Sequence, residues 1–172
     1  QVLMSNMTQK ASDYDRSVVF GLRVHVIVRE TEKEARAYAG SLLSKLDLKF
    51  GTSIRNRAQD ASSLGVFRQA KLREEADDNH YVEPNLWTGI GLARSGCGAA
   101  IVGDPDQVVS KIERYMEMGI RSFIFSGYPH EQECALFAKY VLPRIRSVSL
   151  PKFFGRVPIN TPSTPLGTAK RS

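Results

Sequence analysis

The sequence predicts an α/β fold, and two observations carry that reading. Strand-like and helix-like segments alternate along most of the chain, the pattern of parallel βα units. Only two strands are strong, at about 18–28 and 120–126. A two-stranded parallel sheet cannot cover both of its faces. The chain is therefore expected to be the C-terminal part of a TIM-type (β/α)8 barrel, whose functional groups gather at the C-terminal ends of its strands. Residues about 47–98 would form a long, lid-like insertion between the last two strands.

Taken in order, residues 1–14 read as the end of a helix, with Val2, Leu3, Met4 and Met7 apolar, followed by a polar turn over 13–16. Eight of the eleven residues in 18–28 are Val, Ile, Leu or Phe, which reads as a buried strand. Thr31 and Glu34 form a capping box, and Ala35, Tyr38, Ala39, Leu42, Leu43 and Leu46 follow at helical spacing, predicting a helix over 31–46. Residues 53–78 are strongly charged, with few large apolar anchors, and predict a poorly packed, partly helical excursion. A short apolar segment at 99–103 precedes Asp104, an N-cap with Pro105 at the first helical position and Gln107 completing the cap. Val108, Val109, Ile112, Tyr115 and Met116 make the buried stripe of that helix, and Gly119 ends it. The strand at 120–126 follows at once. Beyond 127–130 lies a helix carrying Ala135, Ala138, Val141, Leu142 and Ile145, its last turn distorted by Pro143. Residues 1–146 thus form the barrel portion, and 147–172, with four prolines and no acidic residue, an extended basic tail.

Composition narrows the function. At 172 residues and 42% hydrophobic the chain can fill one core, and it contains no run of about 18 apolar residues that could span a membrane. The net charge of +6 falls to +2 once the tail's Lys152, Arg156, Lys170 and Arg171 are set aside. The folded part therefore shows no basic, aromatic-rich face for nucleic acid. Cys97 and Cys134 stand apart, without metal-ligand spacing, which suits a reducing compartment such as the cytoplasm and predicts neither disulfide nor metal site. Because the chain opens on Gln1 within amphipathic sequence, it is expected to be a fragment.

The most informative feature is Arg23 and His25, two residues apart in the first strand and so on one face with Gly21 and Ile27. A guanidinium and an imidazole at core-like positions are costly unless they face a cavity holding something anionic or hydrogen-bonding. Taken alone, a strand histidine is more often a satisfied core residue; Arg23 beside it, together with the resemblance described below, shifts the balance toward function. Tyr128 lies just past the C-terminal end of the second strand. Trp87 reads as a packing anchor, Cys97 as a small turn residue, Cys134 as core, and His80 and His130 as exposed. Gly96 and Gly98 are too short a motif for a phosphate loop.

Several blocks resemble the bacterial alkanesulfonate monooxygenase branch of the luciferase-like flavin-dependent monooxygenases. These are R-V-H-V-I-V-R-E-T at 23–31, P-N-L-W-x-G-I-G-L-A-R at 84–94, G-C-G-A-A-I-V-G-D at 96–104 and S-F-I-F-S-G-Y-P-H at 122–130. The resemblance covers roughly residues 15–146 and implies oxygenolytic C–S cleavage of alkanesulfonates to aldehyde and sulfite. It also implies reduced FMN and O2 as cosubstrates, a separate NAD(P)H:FMN reductase as partner, and a homo-oligomer. Four residues carry over: Arg23 and Arg94 to bind or stabilise anionic oxygens, His25 to donate a hydrogen bond or accept a proton, and Tyr128 as a phenolic donor. Arg94 adjoins residues 95–98, whose two glycines would let it enter the site as the insertion closes. The family's N-terminal half, with much of the flavin-phosphate contact, has no counterpart here, and no flavin-contacting residue is assigned. The competing readings are a luciferase-like enzyme acting on a sulfone or other small organosulfur compound, and a noncatalytic half-barrel whose exposed penultimate strand favours self-association.

Overall fold

A computed structural model describes residues 2–47, 49, 51–53, 63–92, 98–148 and 155. Helix α1 (Val2–Ser12) leads into strand β1 (Phe20–Val28). Helix α2 (Glu32–Leu43) starts at the expected capping box: the Thr31 hydroxyl accepts from the Glu34 N–H at 3.2 Å, and the Glu34 carboxylate accepts from the Thr31 N–H at 3.1 Å. It stops three residues short of the sequence expectation. Helix α3 (Leu64–Glu74) has no buried residue and no side-chain cap, as its charged sequence suggested.

Two short strands, β2 (Tyr81–Glu83) and β3 (Leu86–Trp87), form a hairpin that the sequence did not reveal. After a 3-10 turn at Gly89–Leu92, the apolar segment near 100 proves to be a full strand, β4 (Ala100–Gly103). Helix α4 (Pro105–Glu117) is capped reciprocally by Asp104 and Gln107. Gly119, at φ +100°, supplies the left-handed turn into β5 (Ile120–Ser126). Helix α5 (His130–Tyr140) gives way to a 3-10 turn containing Pro143.

The five strands lie in the order β2-β3-β4-β1-β5, with β4 and β5 both parallel to β1 and the hairpin antiparallel. This corrects the two-strand reading: three strands are parallel, and the long insertion joins β1 to β4. The strand expected to be an exposed penultimate edge, β1, is not an edge: among the described residues it sits between β4 and β5, and β5 lies at the border. Sheet pairing is long-range, so hydrophobic runs alone do not reveal strand order.

Strand alternation divides the core. Val24, Val26 and Val28 join Ile101, Val108, Val109 and Ile112 on one face, with Phe123, Phe125 and Phe137 against them. Ile27, Ala100 and Val102 point the other way, toward Ala35 and Ala39 of α2 and Tyr81 and Trp87 of the hairpin. Trp87 is the packing anchor expected of it, whereas Cys134 is exposed rather than core. The described residues thus form an open mixed sheet with helices on both faces.

Candidate functional site

Val28, the last residue of β1, is level with Gly103 of β4, while β5 ends three residues earlier, at Ser126, level with His25. His25 is 2% exposed, and its backbone N–H donates to the Ala99 carbonyl at 3.1 Å. Its register partner on β5 is Ser126, whose hydroxyl lies 3.0 Å from His25 Nδ1. Which of the two donates fixes the imidazole tautomer. The Tyr128 ring packs at 5.5 Å from the imidazole and at 4.7 Å from the His130 ring. The structure therefore brings His25 and Tyr128 together and adds Ser126, which sequence reasoning missed.

Arg23 occupies the same face, opposite Ile124 on β5, but among the described residues α2 packs over Ile27, Ala100 and Val102 and not over this end. Arg23 is exposed and Ile124 is 61% exposed. The expected core-like burial of the Arg23–His25 pair is corrected: an exposed guanidinium keeps its hydration, so only His25 bears a desolvation cost. Arg94 and Cys97 lie outside the described residues.

A second group of side chains surrounds the turn that carries Tyr128. Arg29, one residue past β1, grips Glu133 of α5 through two hydrogen bonds of 2.6 and 3.1 Å, and also donates to the Val28 carbonyl. The Glu133 side chain is 3% exposed. The Arg29 guanidinium lies 3.8 Å from the Tyr38 ring centroid, and the Tyr38 hydroxyl donates to the Tyr128 carbonyl at 2.7 Å. Burial raises the Tyr38 phenol pKa and the Glu133 carboxylate adds to it, so the hydroxyl keeps the proton it donates. A Cβ on Gly127 would lie 2.4 Å from Glu133 Cβ, so this position requires glycine. Glu133 and Arg29 are 104 residues apart, and no local sequence signal joins them.

On the α5 side of β5, a cavity of about 230 Å³ is lined by Val26, Ser126, His130, Glu133 and Cys134 among others. His130 is exposed, as expected, while His80 is half-buried at φ 68°. Chemically, the site offers an imidazole, a serine hydroxyl and a phenol close together, with a guanidinium farther along the same face. That set can donate to, and exchange a proton with, an oxygen-rich anion.

The sequence model of the luciferase-like monooxygenase family matches residues 1–122. The sulfoquinovose monooxygenase of Agrobacterium fabrum is 58% identical over 163 residues, covering 95% of this chain and 42% of that protein. The sulfoquinovose monooxygenase of Novosphingobium aromaticivorans is 59% identical over 142 residues, covering 83% of this chain and 39% of that protein. The chain spans about two fifths of the length of the curated relatives it matches.

Proposed function

Because this chain belongs to the luciferase-like monooxygenase family, whose members generally use reduced flavin and O2, we propose that it is part of a flavin-dependent monooxygenase acting on a sugar sulfonate such as sulfoquinovose. The reaction is oxygenolytic C–S cleavage, giving an aldehyde and sulfite. The flavin is FMN, delivered reduced by a separate NAD(P)H:FMN reductase; each subunit is a TIM-type barrel completed by other segments, and the enzyme is a homo-oligomer. Among the described residues no helix is long and apolar enough to cross a membrane.

The observation supporting a catalytic site here is the buried His25 imidazole held between Ser126 and Tyr128 at the carboxyl ends of β1 and β5. A sulfonate is permanently ionised and presents three acceptor oxygens, which planar guanidinium groups meet with charge-assisted hydrogen bonds. Arg23 and Arg94 serve as that clamp, Tyr128 donates to an oxygen, and His25 donates or takes up a proton. Reduced flavin supplies the electrons that activate O2. The cavity of about 230 Å³ beside Ser126 lies on the α5 side of β5 rather than on the face of His25, and no flavin contact is assigned to it. No flavin-dependent step is placed on this chain.

A simple alkanesulfonate is the second reading, favoured by the P-N-L-W and S-G-Y-P-H blocks. Sulfite release by the full-length protein, with reductase-supplied FMNH2, separates the two. Sulfoquinovose is expected to turn over faster than octanesulfonate, and the reverse order supports the second reading. Arg23→Ala is expected to raise KM for the sulfonate roughly tenfold, the loss of one hydrogen bond to a charged group. An unchanged KM removes Arg23 from the clamp, and no sulfite from either compound overturns the enzyme reading.

A further inference from the structure

We propose that Arg29, Tyr38 and Glu133 form a brace that positions Tyr128 for the reaction; the catalytic part of this inference rests on the role proposed above for Tyr128. The Gly127-Tyr128-Pro129 turn is held from three directions. The Glu133 side chain closes over Gly127 so tightly that a methyl group there would collide with it. The Tyr38 hydroxyl takes the Tyr128 carbonyl at 2.7 Å. The Glu133 backbone N–H takes the Pro129 carbonyl at 3.0 Å.

Arg29 ties these contacts together, since one guanidinium both forks onto the Glu133 carboxylate and stacks on the Tyr38 ring. It leaves β1 four residues after His25, on the same face by strand alternation. The arrangement therefore references the turn bearing the phenol to the strand bearing the imidazole. A buried ion pair is weak evidence for stability, because apolar replacements often serve equally well. What this pair does that an apolar pair would not is to set orientation through a planar, two-pronged contact and a stacked ring.

The test uses the full-length protein. Tyr38→Phe removes one hydroxyl and leaves the ring under Arg29. A misplacement of about 1 Å can cost up to 10²-fold in rate, so a kcat about tenfold lower with KM for the sulfonate nearly unchanged is expected. The Tyr38→Phe/Tyr128→Phe double variant should be no slower than Tyr128→Phe alone, because the brace acts through that phenol. Amide hydrogen exchange across residues 126–131 should quicken in Tyr38→Phe. Arg29→Lys, which keeps the charge but loses the fork and the stack, should show the same pair of effects.

Unchanged exchange in both Tyr38→Phe and Arg29→Lys overturns the brace. So does a rate loss in Tyr38→Phe that multiplies in full with that of Tyr128→Phe. If exchange quickens while Tyr128→Phe itself turns over normally, the brace stands as a structural device, and the role assigned to Tyr128 is what falls.

Discussion

One face of the sheet sets Val24, Val26, Val28 and Ile101 against α4 and α5, while the other sets Ile27, Ala100 and Val102 against α2 and keeps Arg23 and Ile124 in solvent. The same strand, β1, supplies both. Its valines are committed to packing, and the residues between them carry the polar groups. Period-two alternation lets a single strand separate stability from chemistry, because a side chain on one face is insulated from the other by the backbone between them. The candidate site sits where the less covered face meets the ends of the strands.

That contrast can be broken most severely on the jacketed face. Ile112→Ala deletes a fully buried side chain facing β1 and β4 and is expected to destabilise the protein by about 2–5 kcal/mol. Ile124→Ala, on the open face, should stay within about 0.5 kcal/mol. Urea unfolding of the two variants side by side measures the difference, and equal losses would mean that the open face is covered in solution.

Helix caps sharpen the comparison on a smaller scale. Asp104 opens α4 on the jacketed face and Thr31 opens α2 on the other, each with both capping bonds made. The Asp104 bonds are part-buried and the Thr31 bonds exposed. Asp104→Ala is expected to cost about 1 kcal/mol, and Thr31→Ala nearer ~0.5 kcal/mol, in the same unfolding measurement.

A pH-dependent effect appears in alkali. Tyr115, packed against the jacketed core, is pushed up to about 12, chiefly by burial and secondarily by Glu83. A phenol in the unfolded chain ionises near pH 10. The stability held by the neutral ring is thus complete below about pH 10 and is lost as pH rises from there through about 12. Tyr115→Phe should flatten that decline in a pH series of thermal unfolding midpoints. Burial likewise raises Tyr38 and Tyr81, so part of the alkaline loss should survive the substitution.

Much of this was readable beforehand where the signals are local. Helix α4 is announced by its capping box, its Pro105 and its apolar stripe, all within thirteen residues. Strand β4 has only four residues and passed as a short apolar segment. The hairpin turns through Asn85 at φ 64° with strands of three and two residues, too short for alternation to register. In the site, the shared face of Arg23 and His25 followed from spacing alone. Their unequal burial did not, because it depends on where α2 comes to rest. Arg29, Tyr38 and Glu133 were overlooked for the same reason: they meet only when the ends of β1, α2 and α5 are assembled.

Strand β5 hydrogen-bonds to β1 along one side only among the described residues. Its outer rim offers a row of amide and carbonyl groups, and Ile124 stands beside it as a greasy handle. Such a rim recruits whatever extended polypeptide reaches it first. Within a longer protein that neighbour is covalently tethered and arrives ahead of strangers; a chain produced without one would find its nearest substitute in another molecule of itself.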